Sequence, residues 1–292
     1  MRTLIFRPLA VLAFLFLAWC AVHAWLHHSV QPELKQAHAQ DVVMFGDSHA
    51  GDVRLPGFSR FAFPALDLVS TWMWMEAFER AGGPESQVKA VVLTMWPIKF
   101  SPVAERRLTG RNQDDSWGQS ALGKSCHVLG VRHLMESELP WRLRWRMWLN
   151  TFQMRSSIHA KGWLCQDKSI APDYKYTAGK LVREENWFDQ ATVSRWAFDQ
   201  IVALADRNSW ELVMVELPLH PSFLDEVNPE AMAQYEAAMQ SAAAHPGITY
   251  LNMARTPLPH TGFRDHNHLT CEGSQVVSDR LYPLLEELGV NF

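Results

Sequence analysis

Short apolar runs recur along this chain at intervals that leave room for a helix between them, and this pattern restricts the fold more than any other feature. Val42-Val43-Met44-Phe45 closes at Gly46, and AVVLTM (90–95), ELVMVEL (211–217) and ITYLN (248–252) follow, with a weaker strand at Arg60 to Phe63. Brief apolar runs closed by turn residues have the pattern of strands buried within a sheet. The intervening segments read as helices. Ser70 can cap one that reaches Ala81 and stops at Gly82-Gly83-Pro84, and 192–207 places Val193, Trp196, Ile201 and Leu204 on one side. Asn228-Pro229 opens a helix to about Ala244, and the last runs from Gly273 to Leu288, ended by Gly289. Strands alternating with crossover helices predict a mainly parallel sheet covered on both faces, with its working groups in loops at the carboxyl ends of the strands. Between about 101 and 187 the alternation fails, and the segment reads as a long insertion rich in Arg and Trp.

The N-terminus predicts the compartment. Residues 8–26 carry no formal charge and are dominated by Leu, Phe and Trp. About 19 such residues span a bilayer core of roughly 30 Å. Arg2 and Arg7 precede the stretch, whereas His23, His27 and His28 follow, which leaves the N-terminus cytoplasmic. The expectation is a single-pass anchor in the inner (cytoplasmic) membrane. Residues 1–40 hold the anchor and a polar linker from Ser29 to Gln40, and residues 41–292 form an extracytoplasmic, periplasmic domain. The alternative is a cleaved signal peptide. Ala37-His38-Ala39 has the small-x-small pattern but lies far beyond the apolar run, and Leu17-Ala18-Trp19-Cys20 has bulky Trp19 where a lipoprotein box needs a small residue.

Composition narrows the partners. A net charge of −4 over 292 residues, without a long basic run, argues against nucleic acid. There is no C-x-x-C and no metal-ligand spacing. Among the four cysteines, Cys20 falls in the anchor. Cys126 and Cys165 share one irregular region and could pair in an oxidising compartment, leaving Cys271 free; all three could equally be unpaired.

Two polar clusters follow predicted strands. Gly46-Asp47-Ser48-His49 comes directly after the first, where a serine on a tight turn is exposed at the sheet's rim. Asp265-His266-Asn267-His268 comes just before the last helix. A serine hydroxyl is a weak nucleophile until a base takes its proton, and the base is usually a histidine held by a carboxylate. Asp265 and His268, three apart, can turn toward each other and leave one ring nitrogen for Ser48. His266 is a competing base, the two histidines could bind a metal, and each cluster alone also suits a helix cap, the second through Thr270.

These blocks resemble the first and last motifs of the SGNH/GDSL hydrolase superfamily: Gly46-Asp47-Ser48 near the start and Asp265-x-x-His268 near the end. The resemblance implies a three-layer α/β/α, flavodoxin-like domain with Ser48 as nucleophile, His268 as base and Asp265 as its orienter, and no metal or organic cofactor. It spans roughly 41–100 and 188–288. The family's oxyanion glycine after the second strand and asparagine after the third have no match in Pro64-Ala65-Leu66-Asp67 and Thr94-Met95-Trp96-Pro97. A membrane-anchored branch departs similarly: the D-alanylation protein of lipoteichoic-acid synthesis, whose third-strand region resembles Val91 to Pro97 with Phe100, and the alginate O-acetylation proteins. That branch implies a serine O-acyltransferase, with acetyl as the expected group, modifying an envelope polysaccharide beside a multispanning membrane-bound O-acyltransferase. The alternatives are an esterase or deacetylase using the same residues, and a non-catalytic envelope assembly protein.

One further segment suits a membrane setting. Trp141, Trp145, Trp148 and Phe152 form a narrow helical stripe flanked by Arg142, Arg144, Arg146 and Arg155. Such a helix lies on a membrane, against a membrane partner, or with its tryptophans packed on the domain itself. Trp72, Met73, Trp74 and Met75 are expected in the core.

Overall fold

The computed structural model describes residues 2–54, 57–83, 85–101, 104, 108, 116–151, 166–177 and 187–291. Five strands, β1 (Val42–Gly46), β2 (Ser59–Ala62), β3 (Ala90–Met95), β4 (Glu211–Glu216) and β5 (Ile248–Asn252), form one sheet in the order β2-β1-β3-β4-β5. Every neighbouring pair is parallel, with Val43 opposite Val91 and Val92 opposite Val213 in the middle of the sheet. The chain starts at β1, steps outward to β2 and then crosses back to β3. The order therefore reverses between β1 and β3, the place where open parallel sheets form a crevice at their carboxyl ends.

Alternation along the strands divides the core into two layers. Phe45, Leu93 and Met214 face one side, which is covered by α2 (Leu68–Ala81), α7 (Thr192–Arg207) and α9 (Pro229–Ala243). Met44, Val92 and Val215 face the other, where α10 (Cys271–Glu287) packs Val277, Leu281 and Leu285. This is a three-layer α/β/α arrangement of the flavodoxin type. The short helices α6 (Trp187–Gln190) and α8 (Pro221–Leu224) complete the crossovers.

Helix starts differ slightly from the sequence reading. Asp67, not Ser70, caps α2: its carboxylate accepts from the Ser70 amide at 2.7 Å. α10 begins at Cys271, capped by Thr270. Residues 68–78 of α2 are all buried, Trp72 to Met75 included. A helix apolar on all sides must be covered on all sides, and α3 (Ser116–Leu129) and α7 supply the outer cover. The described part of 101–187 also contains α4 (Val131–Glu136) and α5 (Trp141–Asn150). Residues 166–177 run beside the loop before α10, bonding Ile170 to Phe263 and Cys271 to Gln166 through the backbone.

The N-terminal helix α1 (Arg2–Ala37) is long and apolar enough to cross a membrane. It has two unlike halves. Leu12, Phe14 and Leu17 are exposed, whereas Leu26, Val30, Leu34 and Ala37, spaced one turn apart, are buried in the main core. Each of those Leu and Val side chains contributes roughly 1.5–3 kcal/mol to docking. Ser29 to Gln40, expected as a linker, therefore continues the helix to Ala37 and then turns. His38, between the two alanines of the small-x-small pattern, is buried, stacked on Phe78 and bonded to its carbonyl at 2.7 Å.

The cysteine expectation is corrected. Cys126 is free and fully buried, its thiol pushed up by burial, while Cys271 is disulfide-bonded. Cys165 lies outside the described residues, as do Phe152 and Arg155.

At the end of β4, Glu216 is fully buried, receives the Tyr250 hydroxyl, and is pushed up to about 8 by burial. The folded protein thus holds a proton that the unfolded chain releases near its ordinary 4.5. Stability from this group is complete below that value and is lost as pH rises through about 8. The free energy of unfolding should fall with pH across this window, by on the order of 3–5 kcal/mol, and Glu216→Gln should flatten the slope.

Candidate active site

The site is built at the β1/β3 reversal. β1 ends at Gly46, Asp47 turns the chain, and a 3-10 helix (Ser48–Asp52) begins with the serine. The glycine is required by space rather than by the bend: a Cβ at Gly46 would lie 2.0 Å from the Thr94 hydroxyl on β3. The second loop is held by its own backbone and by the first. Arg264 bonds the His268 carbonyl, and the Leu269 amide donates to buried Asp52 at 3.0 Å. Asp52 therefore ties the two loops together across more than two hundred positions. No sequence pattern marked it, since a carboxylate in a 3-10 turn reads as ordinary surface polarity.

The three residues singled out from the sequence meet. Ser48 Oγ and His268 Nε2 are 2.6 Å apart, and His268 Nδ1 lies 2.8 Å from Asp265 Oδ2. The Asp265 carboxylate also accepts the backbone amides of Asn267 and His268 at 3.0 and 2.9 Å, so its orientation is set by three donors. Burial raises the Asp265 carboxyl, but the hydrogen bond and charge of His268 outweigh it and hold the group well below the usual carboxylate range. For His268 burial acts downward, while Asp265 and Asp52 together lift the imidazole above its ordinary value.

His266 is placed elsewhere. Its ring stacks on Tyr176 and Phe223 and its Nδ1 is 3.4 Å from the Tyr174 hydroxyl. Burial pushes it down to about 4, which leaves it neutral. Among the described residues, no group of three or more His, Cys, Asp and Glu is arranged to hold a metal ion.

A second buried network stands behind the serine. Asp47 accepts from His49 Nδ1 at 2.7 Å and Trp96 Nε1 at 3.0 Å, with Lys99 Nζ 3.5 Å away. Burial pushes the Asp47 carboxyl upward, yet His49 and Lys99 overcome it and depress the group strongly. The His49 ring stacks on His268 at 4.8 Å, so this network forms one wall of the imidazole's position. His49 Nε2, Lys99 Nζ and the Asn267 side-chain oxygen are buried and make no hydrogen bond. Lys99 was overlooked in the sequence because a single lysine between Ile98 and Phe100 reads as a surface residue of an apolar turn.

These groups line a cavity of about 170 Å³ that contains Ser48, His49, Ala65, Trp96, Lys99, Asn267 and His268. Ala65 adopts φ 57°, the left-handed region that favours glycine. The loop after β2 therefore has a glycine-like backbone at this point although it carries no glycine. Trp96 stands where the family resemblance expects asparagine, and its indole N–H is engaged by Asp47.

No protein-family model matches the chain, and no curated protein matches it. Among solved structures, a Streptococcus pneumonia protein provisionally described as a platelet activating factor is similar at a TM-score of 0.41 and 12% identity, over 92% of this chain and 98% of that one.

Proposed function

We propose that this protein is a membrane-anchored serine acyl-transfer enzyme of the cell envelope, carrying acetyl on Ser48 to a polysaccharide hydroxyl. The observation that carries the reading is the run of short hydrogen bonds from Ser48 through His268 to Asp265. In this reading His268 takes the Ser48 proton as Oγ attacks the acyl carbonyl, then returns it to the leaving group. Asp265 holds the ring with Nδ1 protonated and steadies the imidazolium. The sugar hydroxyl then attacks the acyl-serine, with His268 again the base. Lys99 and Asn267, buried in the same cavity, are the side chains proposed to face the tetrahedral oxygen in place of the expected asparagine. In this reading α1 anchors a single-pass protein in the cytoplasmic membrane with this domain on the outer side, beside a multispanning O-acyltransferase that supplies the acyl group.

Trapping tests the proposal. The full chain in detergent, incubated with p-nitrophenyl acetate and quenched in acid, should carry an acetyl adduct on the peptide containing Ser48, and Ser48→Ala should carry none. Release of acetate to water faster than to an added oligosaccharide would favour the esterase alternative. An unmodified Ser48 would leave an assembly role instead.

A further inference from the structure

We infer that α5 lies in the outer headgroup layer of the bilayer that α1 crosses, so that the domain rests on lipid through this helix. The inference rests on the membrane-anchor reading of α1. α5 is amphipathic in an unusual sense, because it is apolar on both faces. Leu143 and Met147 are buried against the domain, while Trp141, Trp145 and Leu149, one turn apart on the opposite side, are 61%, 47% and 57% exposed. Exposed Arg142 beside them suits phosphate: its guanidinium lies over the Trp141 ring at 5.7 Å, within reach of headgroups.

What covers that face follows from where α5 meets the anchor. Trp19 of α1 donates to the Thr151 carbonyl at 3.2 Å, and its ring meets Trp148 edge-on at 6.1 Å. The uncharged stretch 8–26 accounts for about 28 Å of helix, close to one bilayer core. Trp19 is seven residues inside its outer end, so the end of α5 reaches about 10 Å below that boundary, the depth at which interfacial helices sit. Sliding the span toward Arg2 moves α5 only as far as the headgroups, because Trp19 then marks the outer end. Anchor and domain cannot separate at a joint, since Leu26, Val30 and Leu34 of the same helix are core residues.

The same geometry turns the Ser48 edge of the sheet toward the membrane. α1 ends beside the end of α2, where His38 meets Phe78, and its earlier turn meets the opposite end, where His23 lies 2.8 Å from His127. Lys124, one turn before that histidine, lies over the ring of Phe63, just ahead of α2, at 5.6 Å. α1 therefore runs with α2 and against the strands, so the carboxyl ends of the strands point back toward the bilayer.

Depth-dependent quenching in the full chain tests this. In a Cys20→Ser background, a bimane probe is placed in turn at Leu149→Cys, Leu15→Cys and Glu85→Cys. The protein is reconstituted in nanodiscs of phosphatidylcholine and phosphatidylglycerol, with or without brominated acyl chains. The expected result is at least twofold stronger quenching at 149 and at 15 than at 85, which lies at the far edge of the domain. A quenched probe at 15 with an unquenched one at 149 overturns the inference and leaves the face of α5 to a protein partner. Unquenched probes at both positions overturn the anchor reading itself.

Discussion

Replacing His268 with alanine is expected to slow acyl turnover by about ten-thousandfold while leaving the fold intact. The imidazole is the only group bonded to Ser48 Oγ among the described residues, at 2.6 Å, so the variant leaves the hydroxyl without its proton acceptor. Losses of this size are typical when one member of a cooperating nucleophile and base is removed, and a second removal adds little. Ser48→Ala combined with His268→Ala should therefore be no slower than either alone. The pH profile gives an independent check. As the proposed base His268 would work only when neutral, and Asp265 and Asp52 hold it above its ordinary 6.5, so kcat/KM should rise with pH through a midpoint above that value. Asp265→Asn removes the charge that lifts the ring, and the midpoint should move to lower pH. Turnover of His268→Ala within tenfold of the unmodified protein, on an acetyl ester, would show that another group is the base.

Asp47→Asn is expected to destabilise the protein by about 3–5 kcal/mol, because it removes the counter-charge of a buried cation. Asp47 and Lys99 are both almost wholly buried, with the ammonium 3.5 Å from the carboxylate and making no hydrogen bond. Asparagine keeps the shape and can still accept from Trp96, but it carries no charge to offset Lys99. Two buried charges are costly to create and costlier to separate, so removing both should recover much of the loss. Asp47→Asn with Lys99→Met is therefore expected to unfold at a higher temperature than Asp47→Asn alone, in the same detergent. Equal midpoints for the two variants would mean that Asp47 acts through Trp96 and His49 rather than through charge.

Much of the fold was legible because its signals are local. An apolar run closed by a glycine, an Asn-Pro helix start and a Gly289 stop each report on a few adjacent residues, and the five strands appear within about one residue of expectation. Ser48, His268 and Asp265 were legible for a related reason: the two loops follow or precede predicted elements, and parallel topology sends such loops to one edge. Asp52, Lys99 and Ala65 were not. Each is an ordinary residue in its local sequence and becomes distinctive only through a neighbour far along the chain: the Leu269 amide, the Asp47 carboxylate, the cavity beside Ser48.

The period of the strands and helices, the apolar length of α1 and the two polar clusters are written locally, because periodicity, length and residue chemistry are properties of neighbours in the chain. Packing alone reveals that α1 continues into the core, that His268 rather than His266 meets the serine, that Cys126 is free, and that a buried aspartate and lysine stand behind the site. Those outcomes depend on which surfaces exclude water together, and burial is a property of the packed whole.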